Sequence, residues 1–83
     1  MYTIEFSRDA EKFLDKQSHD VRERIIRAAE RLQVRPYAHI HRLVNSPYCK
    51  FRVGDYRLIL RIEDDALFIL VIEIGHRRNI YKK

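Results

Sequence analysis

The chain has a single cysteine, a single methionine, two glycines and two prolines among 83 residues. A lone Cys49 cannot close an internal disulfide, and it excludes a zinc site built on cysteines. It reads as a small buried hydrophobe. No apolar run approaches the roughly 18 residues that span a bilayer. The opening MYTIEF lacks the basic lead, apolar stretch and small-residue cleavage site of a secretion signal, so the expected location is cytoplasmic. There is no internal repeat and no low-complexity segment. A chain of this size buries only about 60% of the surface its unfolded form exposes, which leaves room for one core. Residues 1–83 are therefore expected to form a single domain.

What is present is apolar residues at 46%, charged residues at 35% and a net charge of +5. The proportions are those of a soluble globular protein. Residues 1–48 hold nine Lys or Arg against seven acids, residues 49–83 hold eight against five, and after Glu73 come four cations and no acid. Such a surplus suits a polyanionic partner, nucleic acid or acidic protein, although a solvated basic surface has the same composition.

Tyr2, Ile4 and Phe6 alternate with Thr3 and Glu5, the period of a strand with one buried face. Ser7 can cap a helix with Asp9 in its first turn and Ala10, Phe13 and Leu14 as its apolar stripe, ending near Gln17. Ser18 or Asp20 can cap a second helix whose stripe is Val21, Ile25, Ala28, Ala29 and Leu32. Pro36 biases the chain out of helix, so this one is expected to stop near Val34 and to pair with the first as an antiparallel hairpin. Residues 36–48, with both prolines, read as a connection. His39 and His41 lie within it, but neither cysteine nor an obvious acid is at hand to complete a metal shell, and they read as surface histidines.

Three strands follow, at 49–53, 56–62 and 67–74. Gly54-Asp55 suits a two-residue type II′ or I′ turn between the first two, and Glu63 to Ala66 form a polar loop before the third. LFILVIEI is apolar on both faces until Glu73, which marks a central strand. The expected fold is α+β, in the order β-α-α-β-β-β, with the helical hairpin on one face of a mostly antiparallel sheet.

A two-residue turn at Gly54-Asp55 fixes the register of the hairpin: Val53 faces Tyr56, Arg52 faces Arg57, Phe51 faces Leu58 and Lys50 faces Ile59. Cys49, Phe51, Val53, Tyr56, Leu58 and Leu60 then line the core side. Lys50, Arg52, Arg57 and Arg61 project from the other. Like charges set directly opposite destabilise a sheet, so the fold gains nothing from Arg52 facing Arg57. Defence of a sheet edge, with arginine stems laid over Ile59, is the plain alternative, and Arg61 fits it best. The functional alternative is an anion clamp, because guanidinium forks match phosphate oxygens. Gly75 is expected to break the central strand, putting His76, Arg77 and Tyr81 on an adjustable segment at the sheet margin. A histidine can exchange protons near neutral pH, an arginine can stabilise charge on a phosphorane-like species, and a tyrosine can stack on an unpaired base. Arg78, Lys82 and Lys83 read as general electrostatics.

The run KFRVGDYRLILRI, followed after a polar loop by an apolar strand and IGHRRNIY, resembles the RelE toxins of prokaryotic toxin-antitoxin pairs, within the RelE/ParE superfamily. The resemblance covers essentially the whole chain. It implies a ribosome-dependent endoribonuclease that cuts mRNA in the decoding site and is held inactive by a cognate antitoxin. Operator DNA would be reached only through the antitoxin complex, and no membrane is involved. It carries catalytic roles onto Lys50, Arg52, Arg57, Arg77 and Tyr81. The best-known members have a lysine where this chain has His76, which leaves the proton donor open. No metal or other cofactor is implied, because RNA brings its own nucleophile, the 2′-hydroxyl. Two other expectations accompany this one: a ParE-like gyrase poison on the same fold without RNA chemistry, and a degenerate toxin that acts only with its antitoxin.

Overall fold

The structure, a computed structural model, describes residues 1–76. It places strand β1 at Thr3–Phe6, helix α1 at Arg8–Asp15, helix α2 at His19–Arg31, a 3₁₀ turn at Pro36–Ala38, and strands β2 at His41–Arg42, β3 at Tyr48–Val53, β4 at Tyr56–Glu63 and β5 at Phe68–His76. The five strands form one sheet in the order β1-β5-β4-β3-β2. β1 runs parallel to β5, and every other pair is antiparallel. β5 lies inside the sheet, as its two apolar faces require.

Both helices start on serine caps. The Ser7 hydroxyl accepts from the Ala10 amide at 3.1 Å and donates to the Ile72 carbonyl at 2.6 Å, so one side chain starts α1 and ties it to β5. Ser18, rather than Asp20, caps α2, accepting from the Val21 amide at 3.3 Å. The regular helix stops at Arg31, a turn short of Val34; the chain then tightens, with the amides of Leu32 and Gln33 donating to the Ala29 and Glu30 carbonyls. α1 packs over β5 and β1, and α2 over β3. Between helices and sheet lies one core: Ala10, Leu14, Ile25, Ala28, Ala29 and Leu32 against Cys49, Phe51, Val53, Leu58, Leu60, Ile69, Val71 and Ile74. Burial pushes the Cys49 thiol above its ordinary pKa, consistent with an inert packing role.

Two sequence expectations are corrected. Residues 36–48 are more than a connection, because His41 and Arg42 pair with Lys50 and Cys49 as a short edge strand. Two residues are too few to carry a periodic signal. Gly75 does not break β5: it pairs with Arg57, and the strand runs on to His76 opposite Tyr56. A β-bulge adjusts the register between Ile59 and Leu60, which face Glu73 and Val71.

The far end of the sheet is closed by a polar knot. Asp64, in the turn after β4, accepts from the Tyr2 hydroxyl at 2.8 Å and from the Tyr37 hydroxyl at 2.7 Å. The Arg42 guanidinium lies over the Tyr37 ring, 5.5 Å from its centre. The hydrogen bond to Asp64 holds the Tyr37 phenol up to about 12, with burial and the carboxylate charge adding to it. The Tyr37 and Tyr2 hydroxyls in turn keep the Asp64 carboxyl below its usual range.

Candidate phosphate-binding face

The site begins at the hairpin turn. Gly54 has φ +57°, whereas Asp55 does not enter the positive-φ region, the pattern of a type II′ turn. With the corner set this way, the ladder pairs Val53 with Tyr56, Arg52 with Arg57, Phe51 with Leu58 and Lys50 with Ile59. Directly opposed residues share a face, so the two arginines stand side by side on the side of the sheet away from the helices, as the turn predicts.

Successive rows of that face can be read from the pairing. One runs His41, Lys50, Ile59, Glu73; the next runs Arg52, Arg57, Gly75. The position beside Arg57 on β5 thus has no side chain. Neighbouring strands lie about 4.8 Å apart, so His41, Lys50 and Arg52 occupy adjoining positions of one face, beside the Arg57 position.

The four cations of the hairpin are not equivalent. Arg52 is exposed and Lys50 half-buried. Arg57 is 2% exposed, so it does not project into solvent as the alternation of the hairpin suggests. Alternation assigns a face, but it cannot say how deeply a side chain is covered there. Arg61 is engaged elsewhere, its Nε donating to Glu63 Oε2 at 2.6 Å; it stands on β4 between Tyr48 of β3 and Leu70 of β5, so it is not the edge charge expected from the sequence.

His76 is not brought to the arginine pair. Its ring stands edge-on to Tyr56 at 5.5 Å between centres, and Tyr56 in turn meets Phe13 of α1 at 6.0 Å. Opposite Tyr56, the imidazole belongs to the helix side of the sheet. Arg77 and Tyr81 lie outside the described residues. His41 is a residue that sequence reasoning passed over: it is exposed and faces Lys50 on the arginine side. The signal that could have found it is the alternation of His41 with Ile40 and Arg42, too short to stand without its partner strand. Among the described residues no group of three or more His, Cys, Asp or Glu gathers closely enough to hold a metal ion.

A second charged feature adjoins the first. Arg24, Arg27 and Arg31, at helical spacings of three and four, share one side of α2 with His19, Asp20, Glu23 and Ala28, and face Arg52, Val53 and Gly54 across an open groove of about 570 Å³. Glu23 pairs with Arg27 at 2.8 Å and with His19 at 3.4 Å.

Residues 4–81 match the family described as the ParE toxin of type II toxin-antitoxin systems, parDE. Comparison with curated proteins gives no match. Among solved structures, a chain of the RelBE2 toxin-antitoxin complex from Mycobacterium tuberculosis is similar with a TM-score of 0.82 and 25% identity, covering 92% of this chain and 98% of that one. A chain of the intact E. coli RelBE toxin-antitoxin complex follows with a TM-score of 0.73 and 26% identity over 92% and 96% of the two chains. The archaeal RelE-RelB complex from Pyrococcus horikoshii OT3 contains a chain at TM-score 0.80 and 18% identity, over 92% and 94%, a likeness of fold alone.

Proposed function

The chain belongs to the ParE toxin family, within the RelE/ParE superfamily, and from that premise we propose that it is a toxin restrained by a cognate antitoxin and acting as a ribosome-dependent, metal-independent endoribonuclease on mRNA. The observation that carries the reading is the cross-strand pair Arg52–Arg57, flanked by Lys50 and His41. In the reaction, the 2′-oxygen bonds to the adjacent phosphorus and the bond from phosphorus to the 5′-oxygen breaks. A base takes the 2′-hydroxyl proton, and an acid returns one to the leaving 5′-oxygen. Arg52, the exposed guanidinium, meets the phosphate first. Arg57 adds positive potential from beneath, where low dielectric strengthens it. Lys50, His41 or Tyr81 serves the 2′-hydroxyl. With His76 turned to the helix side, Arg77 is left to serve the leaving oxygen, and Tyr81 to stack on a base.

Arg52→Ala is expected to lower cleavage of ribosome-bound mRNA by about 10² to 10³-fold, the usual loss when one essential electrostatic contact is removed. Arg57→Ala is expected to do the same, and its melting temperature is to be measured alongside because the side chain is buried. Wild-type rates in a folded Arg52→Ala protein would defeat the assignment.

The family match itself supports a second reading, a ParE-like gyrase poison in which the same fold is an interaction module. Mapping mRNA 5′ ends after induction separates the two. Codon-phased cuts support the nuclease, and DNA damage without cuts supports the poison.

A further inference from the structure

We propose that the groove between α2 and the tip of the β3–β4 hairpin is a second binding site for RNA backbone phosphates, separate from the arginine pair and joined to it through Arg52; its occupant class rests on the RNA reading above. Three observations converge on it. Among the described residues, Arg24, Arg27, Arg31 and Arg52 line the groove against two acids, Asp20 and Glu23. Glu23 is already engaged by Arg27 and His19. Among the described residues, the side chains of Arg24, Arg31 and Arg52 make no hydrogen bond or ion pair, and all three are exposed. Guanidinium groups gathered without counter-charges repel one another, and an anion from outside relieves that repulsion.

The second strand of the argument is continuity. β2 covers the outer edge of β3 only at Cys49 and Lys50, so among the described residues no strand flanks that edge from Phe51 to Val53. Arg52 sits there, belonging both to the row with Arg57 and to the groove lining. A nucleotide strand on the sheet face can therefore pass over this edge and meet α2. Arg24 to Arg31 span about 10 Å along the helix axis, enough for more than one phosphate contact.

The third is what the groove lacks. Among the described residues, Ala28 and Val53 are its only apolar lining side chains. A protein partner would be expected to find an apolar, aromatic-rich centre, and the described lining offers none.

The test uses the full chain and ribosomes programmed with an mRNA made uncuttable by 2′-O-methylation at the cleavage site. Binding is followed from low to physiological salt for the wild type, for Arg24→Gln/Arg31→Gln, and for a control of equal charge, Arg8→Gln/Arg35→Gln, whose residues are exposed and lie outside the groove. Losing two phosphate contacts should flatten the plot of log affinity against log salt by about 1.4, whereas the control should stay near wild type. On cuttable mRNA, KM should rise by a larger factor than kcat falls. A photo-crosslinking side chain at position 31 should join to RNA: adducts on the message place that strand in the groove, and adducts on ribosomal RNA place the ribosome's own backbone there. An unchanged slope, an equal drop in the control, or crosslinks to ribosomal protein with none to RNA would overturn the site. A wild type that leaves mRNA uncut while the groove variant still loses its slope would remove the cleavage reading and keep the groove.

Discussion

At Arg57 a positive charge and a buried position coincide. A sheet face this cationic is unfavourable for folding, since like charges on opposed residues destabilise a strand pair. Glu73 stands on the same face one row away, and the cationic excess that remains at exposed Arg52 is what a phosphate would offset. If the proposed cleavage takes place on this face, His41 is the described imidazole paired beside Lys50 there. His41→Gln is expected to lower kcat for mRNA cleavage by about 10²-fold, the smaller end of what general acid–base groups contribute, with little change in RNA affinity. Single-turnover cleavage with a parallel binding measurement checks it, and an unchanged kcat removes His41 from the chemistry. Much of the candidate site's backbone arrangement is legible in the sequence alone. A two-residue turn fixes parity, and parity alone placed Arg52 beside Arg57. The burial of Arg57 was not legible, since it depends on how far neighbouring parts of the chain close over one face. Nor was the seat of His76: ending the strand at Ile74 hides the fact that alternation through Gly75 returns the next side chain to the helix side.

Among the elements, the β3–β4 hairpin sets the geometry on which the rest depends. Gly54 holds φ +57°, and a Cβ there would sit 3.9 Å from the nearest Arg24 nitrogen, an ordinary contact. The objection to a side chain is therefore conformational rather than steric crowding by a neighbour. Gly54→Ala is expected to lose about 1–2 kcal/mol, the price of a left-handed residue with a Cβ. Urea unfolding should show a lower midpoint at an unchanged m-value, and equal midpoints would contradict the turn geometry. The elements with strong periods, α1, α2, β4 and the body of β5, could be read from sequence because each buries one face or two against a single core. β2 could not, since a two-residue strand exists only by virtue of the partner it lies against.

For the whole molecule, the knot around Asp64 joins the start of the chain, the 3₁₀ turn and the β4–β5 turn. Its effect on stability is set by pH. Tyr37 has a folded pKa of about 12, above its ordinary value of 10.0, so the folded state holds that proton more tightly. The stabilisation is complete below the unfolded value and disappears as pH rises toward the folded one. Asp64, shifted downward, behaves in the opposite sense: its contribution is present above the ordinary carboxylate range and is lost as acid titrates it. Melting curves of the wild type are therefore expected to fall more steeply between pH 10 and 12 than those of Tyr37→Phe, and more steeply on the acid side than those of Asp64→Asn. Parallel curves would show that the knot is not coupled to folding. The position of β5 has a different consequence, one of timing. The last described strand to leave the ribosome is the one against which β1, β4 and α1 all pack, so the nascent chain has α2 and the β3–β4 hairpin made before β1 and α1 have their partner strand. Synthesis at about 5–20 residues per second then separates the appearance of the hairpin arginines from completion of the sheet that holds them.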